Sequence, residues 1–186
     1  FDTEKLCKII DSVVGTGIDT FVLDDGWFGA RNGDLAGLGD WFVNLDKLPK
    51  GLTPVVEHAH KNGLKFGLWF EPEMVNADSD LYRAHPDWII HADGIEPCVG
   101  RDQYVLDLTR KEVRDYIVNS VSTILQDNNI DYVKWDMNRP LTENYSVWLG
   151  KNGKEFAHRY VLGLYDICER LVNGCPNVFL DRKSVV

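Results

Sequence analysis

Four times along this chain a short apolar, β-favouring run ends in acidic or amide side chains: TFVLDDGW at 20–27, LKFGLWFEPE at 64–73, YVKWDMN at 132–138 and NVFLD at 177–181. Such runs read as buried strands that open into loops at their carboxyl ends. Between them lie stretches of helical period. Leu6, Ile9, Ile10, Val13 and Val14 follow Asp2 or Thr3 as a cap and stop at Gly15. Thr53 and Pro54 supply a cap and a first helical residue for a segment closed by Gly63. Thr109 and Glu112 have the spacing of a capping box ahead of Val113, Tyr116, Ile117, Val121, Ile124 and Leu125, a helix reaching about residue 126. A last helix over about 155–172 carries Phe156, Tyr160, Val161, Leu164, Ile167, Cys168 and Leu171. Each helix returns the chain so that the next strand runs in the same direction, which specifies an α/β fold with parallel strands.

A doubly wound sheet and a barrel both satisfy this alternation. No Gly-rich phosphate loop follows the first strand, and the strand ends carry Asp24 and Asp25, Glu71 and Glu73, Asp136 and Asn138, and Asp181. A (β/α)8 barrel gathers all such positions around one mouth. A complete barrel takes about 250 residues, whereas this chain has 186 and four principal strands. The expected fold is therefore an incomplete (β/α)8 TIM barrel, about half of one, with residues 1–186 forming a single partial domain.

A net charge of −9 argues against nucleic acid and against an anionic membrane surface, which would repel a chain of this sign. The chain contains no run of 18 apolar residues. Cys7, Cys98, Cys168 and Cys175 lack CxxC spacing and read as reduced thiols of a cytoplasmic protein. The histidines show no HExxH pattern, and no Ser or Cys has nucleophile-elbow surroundings. No cofactor and no metal is expected.

Side chains two apart on a strand share a face, so Lys134, Asp136 and Asn138 are expected to point together into the mouth. An ammonium nearby keeps a carboxylate anionic, the state a nucleophile needs; a Lys and Asp pair that only satisfies itself is the structural alternative. Asp24 and Asp25, beside Gly26 and Trp27, suit hydrogen bonds from adjacent sugar hydroxyls, or else a cap and a solvated loop charge. Trp69 and Glu71 share a face and offer a stacking surface beside a carboxylate, with Trp69 as core filler the competing reading. Arg101, in GRDQ, reaches the mouth as a hydrogen-bond fork or pairs with a surface acid.

FVLDDGWFGARN, GDWFVNLDKLPKGL, GLWFEPEMVN, GRDQYVLDLT and YVKWDMNR, in this order between about residues 1 and 145, resemble glycoside hydrolase family 36, the α-galactosidases of bacterial type. The resemblance implies a retaining mechanism in which Asp136 attacks the anomeric carbon and forms a covalent galactosyl intermediate. It also implies that Asp24, Asp25, Trp69, Arg101, Lys134 and Asn138 line the galactose subsite. The implied partner is an α-galactoside oligosaccharide of the melibiose or raffinose type, and the implied parent is a homo-oligomer. Where the family has a Gly-rich loop, this chain has DRKSVV, and no residue matches the family's acid/base Asp. The 186 residues alone are therefore expected to be inactive. The competing readings are a galactose-binding module without catalysis and a metal-dependent barrel hydrolase using Asp24, Asp25 and a His.

Overall fold

The computed structural model describes residues 1–182. Four strands, β1 (Thr20–Leu23), β2 (Lys65–Phe70), β5 (Tyr132–Trp135) and β6 (Phe179–Arg182), form one sheet in the order β1-β2-β5-β6. All three pairings are parallel. The sheet is open at β1 and β6, so half the staves of an eight-stranded barrel stand side by side without closing.

Alternation across this sheet separates two faces. Leu23, Phe66, Leu68, Phe70, Val133 and Trp135 are buried and pack with the inward stripes of the helices. The long helices are α1 (Thr3–Val13), α2 (Thr53–Lys61), α4 (Lys111–Asp127) and α5 (Phe156–Gly174). Helix α1 packs on α2, and α4 on α5. Each buried Leu, Val or Phe contributes about 1.5–3 kcal/mol through loss of contact with water, so this side holds the sheet together. On the other face Lys65, Phe179 and Asp181 are exposed, and Thr20, Val22, Tyr132 and Lys134 half-buried. That face corresponds to the interior of a barrel. Gly67 lies on it opposite Tyr132, whose Cδ1 would stand 2.8 Å from an added Cβ; only glycine lets the ring lie so close to β2.

Asp2 caps α1 as expected, accepting from Lys5 N at 2.9 Å. Two other caps differ from the sequence reading. Leu52, not Thr53, is the N-cap of α2, and it makes no side-chain cap bond. The box of Thr109 and Glu112 does not form, because Thr109 Oγ1 donates to Asp107 Oδ1 at 2.6 Å and Glu112 Oε1 accepts from Arg110 Nε at 2.8 Å. Helix α4 starts at Lys111 behind an uncapped Arg110. Strands β1, β2 and β5 end before the carboxylates of their runs, whereas β6 starts two residues into its run and continues through Asp181 to Arg182.

Absent from the sequence reading are an antiparallel pair, β3 (Met74–Asn76) with β4 (Gln103–Val105), a short helix α3 (Asp80–Ala84), and 3-10 turns at Pro86–Trp88 and Val147–Glu155. The β3–β4 pair follows the β2 carboxyl end and builds part of the mouth. Of the DRKSVV departure, Asp181 and Arg182 belong to β6, and 183–186 lie outside the described residues.

Candidate active site

Asp136 follows β5 directly, and its backbone N–H donates to Phe70 O at 2.7 Å, extending the ladder one step beyond the strand. The carboxylate is nearly buried. Oδ2 accepts from Trp69 Nε1 at 3.1 Å and from Asn138 Nδ2 at 2.7 Å, and Oδ1 accepts from Met137 N at 3.0 Å. These bonds fix the carboxylate plane. Asn138 thus lies against Asp136, held by its Nδ2 hydrogen bond rather than by strand alternation, since β5 ends at Trp135.

Lys134 and Trp69 are register partners on neighbouring strands, and Asp24 comes one residue after the Leu23–Leu68 pair. The Lys134 ammonium lies 2.6 Å from Asp24 Oδ2, bridging β5 to the end of β1. It brings positive charge to the Asp136 strand while holding Asp24, whose Oδ1 also accepts from Asp25 N. Asp25 is gripped by Arg31, with Nε at 2.9 Å from Oδ1 and Nη2 at 2.8 Å from Oδ2. Each member of the acidic pair therefore has a cationic partner. Among the described residues no cluster of three or more His, Cys, Asp or Glu side chains could hold a metal ion.

Trp69 is 3% exposed and its ring stacks on Phe28 at 6.0 Å, so what it offers the pocket is its indole N–H rather than an open face. Arg101 is exposed in a left-handed turn before β4, with φ of 55°. The structure thus brings Trp69 and Asn138 onto Asp136 and Lys134, the strand partner of Trp69, onto Asp24, sets Asp25 next to Asp24, and places Arg101 in the turn before β4.

Glu71 comes one strand residue beyond Phe70 and is buried, with Oε1 accepting from Asn138 N at 2.5 Å and Oε2 from Gln103 Nε2 at 3.1 Å. Burial raises its carboxyl above the ordinary value, against the lowering effect of these hydrogen bonds, and the charge of Asp136 adds to the rise. Glu73 points away into the core, accepting from Trp135 Nε1, Tyr160 Oη and Arg182 Nη2. Burial, then the Glu73 carboxylate, push the Tyr160 hydroxyl well above its usual range. Sequence reasoning named Asp25 but not Arg31; the signal available was the single arginine of the FVLDDGWFGARN motif.

Residues 1–185 match the family model described as Melibiase. The chain belongs to the melibiase family. Members similar to it include α-galactosidase Mel36A of Lactobacillus acidophilus, 48% identical over 185 residues that cover 99% of this chain and 25% of the relative. α-Galactosidase AgaA of Geobacillus stearothermophilus is 46% identical, with the same coverage of both chains. The crystal structure of a variant of that glycoside hydrolase family 36 enzyme in complex with raffinose superposes with a TM-score of 0.94, at 45% identity, over 98% of this chain and 26% of the other. The chain thus spans about a quarter of the length of these relatives, and its open sheet is part of a TIM-barrel architecture.

Proposed function

We propose that this melibiase segment supplies the nucleophile half of a retaining α-galactosidase active site, with residues 1–186 forming one partial catalytic domain. The observation that carries the reading is the Asp136 carboxylate, set at the end of β5 by Trp69, Asn138 and the Met137 N–H. In the first step an Asp136 oxygen attacks the anomeric carbon of a terminal α-galactosyl unit. The glycosidic bond breaks, and the departing oxygen takes a proton from an acid. In the second step water, deprotonated by the same group, displaces Asp136 and releases galactose with its original configuration.

In this reading the proton donor comes from outside the described residues. Retention requires a second carboxyl group about 5 Å from the first and on the substrate side. Glu71 accepts from Asn138 N and Gln103 Nε2, and Glu73 faces the core, bonded to Trp135, Tyr160 and Arg182; in this reading neither serves as the donor.

Asp24, Asp25, Trp69, Arg101, Lys134 and Asn138 form the galactose subsite in this reading. Asp24 and Asp25 accept from ring hydroxyls, and their cationic partners keep the site near neutrality, which suits an uncharged sugar. The substrate class is an α-galactoside oligosaccharide; related structures hold raffinose and stachyose. No helix among the described residues is long and apolar enough to cross a membrane, and the four cysteines are free thiols; in this reading the protein is cytoplasmic. We read the complete protein as a homo-oligomer without nucleic-acid or membrane partners.

The test follows the products of the full-length enzyme by NMR. The first galactose released should be the α anomer, and Asp136→Ala should abolish turnover, with azide restoring it to give a β-galactosyl azide. Release of the β anomer, or an Asp136→Ala enzyme of unchanged rate, would refute the assignment.

A further inference from the structure

Arg31 and Asn76 lie at the carboxyl ends of two motifs, Arg31 next to last in FVLDDGWFGARN and Asn76 last in GLWFEPEMVN, whose acidic and aromatic members account for much of the mouth. Their own contacts join three loops. Arg31 is 4% exposed, and besides its fork on Asp25 it donates from Nη1 to Asn76 Oδ1 at 3.1 Å and to Ala36 O at 3.2 Å. Asn76, at the end of β3, is fully buried and uses its whole amide. Oδ1 accepts a second bond from Leu38 N at 2.8 Å, and Nδ2 donates to Asp34 O at 3.1 Å and Asp102 O at 2.8 Å.

The last of these bonds matters because Asp102 and Arg101 are consecutive non-glycine residues at positive φ, 59° and 55°. A backbone in that region is held by its surroundings rather than by its own preference. Asn76 is one of the holds. A fully satisfied buried amide is stiff, because moving any one partner strands another. The guanidinium donates from Nε to Oδ1 at 2.9 Å and to Oδ2 at 3.2 Å and from Nη2 to Oδ2 at 2.8 Å, which leaves acceptor capacity chiefly on Oδ1 for the half-exposed side of that carboxylate. With its charge offset by a buried Arg, Asp25 is suited to neutral hydroxyl donors rather than to a cation.

We propose that Arg31 and Asn76 are positioning residues that set Asp25 and the Arg101 turn as one unit for recognition of galactose hydroxyls. The proposal rests on the reading of Asp25 and Arg101 as sugar-binding groups. It assigns Arg31 no contact with substrate; its effect passes through Asp25, and that of Asn76 through Asp25 and the turn.

The experiment is a double-mutant cycle in the full-length enzyme, with KM and kcat for raffinose measured alongside melting temperature. Arg31→Lys keeps the charge and loses the fork, and should raise KM roughly ten- to hundredfold, with a smaller change in kcat. Combined with Asp25→Asn, it should add nothing further, because the residue it acts through has already been altered. Asn76→Ser combined with Arg101→Ala should likewise give less than the product of the single losses. Single effects that multiply in full, or a melting temperature that falls while KM stays at the wild-type value, would overturn the proposal while leaving the α-galactosidase reading intact. A wild-type enzyme that neither binds galactose nor cleaves raffinose would overturn both.

Discussion

Trp69 Nε1 donates to Asp136 Oδ2 across 3.1 Å, tying β2 to β5 where both strands reach the mouth. The bond depends on sheet register. Trp69 pairs with Lys134 and Phe70 with Trp135, so a slip of one residue would turn the indole to the opposite face. The same pairing that buries Phe70 and Trp135 on the helix side therefore orients the carboxylate on the other.

Trp69→Phe keeps the ring and removes the N–H. Hydrogen bonds to a charged group are worth about 1.5–3 kcal/mol, so kcat of the full-length enzyme on an aryl α-galactoside should fall about ten- to hundredfold, with KM changing less. Steady-state kinetics checks this, and an unchanged kcat would show that the bond does not orient the reacting oxygen.

Glu71 makes stability depend on pH. Because burial raises its carboxyl above 4.5, the folded chain keeps this proton over a range where the unfolded chain has lost it. Stability is then fully present below about pH 4.5 and falls as pH rises through the raised value. Glu71→Gln cannot ionise and lacks that slope. Urea unfolding of both proteins between about pH 4 and pH 8 should show the difference moving in favour of the Gln variant as pH rises; a constant difference would contradict it.

Gly163 lets α5 approach the loop after β4. A Cβ there would lie 2.1 Å from Leu108 O, a backbone atom that also accepts from Arg114 Nη1 at 3.0 Å. Gly163→Ala should therefore destabilise the fold by roughly 3 kcal/mol. Chemical denaturation measures this directly, and a neutral substitution would mean that α5 sits farther out.

Features governed by neighbours in sequence were legible without coordinates. The cap at Asp2 and the four strands with acidic residues at or just past their ends follow from local period and propensity. What was hidden depends on residues far apart in the chain. The expected Thr109 and Glu112 box gave way because Asp107 and Arg110 offered those side chains nearer partners. Strands β3 and β4 have three residues each, too short to show a period, and exist because 74–76 meet 103–105. Lys134 and Asp24 are 110 positions apart, so nothing local announces their ion pair. Arg31 was visible as a letter in a motif, but its grip on Asp25 belongs to the folded loop.

The isolated 186-residue chain should not turn over an activated aryl α-galactoside, because in this reading the acid/base carboxyl that retention requires is supplied from outside it. A spectrophotometric assay at high protein concentration is sufficient. Turnover at the rate of an ordinary glycosidase would place the proton donor within this segment.

The most direct test of the central claim is covalent capture. Full-length enzyme treated with a 2-deoxy-2-fluorogalactosyl fluoride, digested and sequenced by mass spectrometry, should carry one fluorogalactosyl group on Asp136 within YVKWDMN. A label on any other carboxylate, or an active enzyme that takes up none, would contradict the assignment of Asp136 as nucleophile.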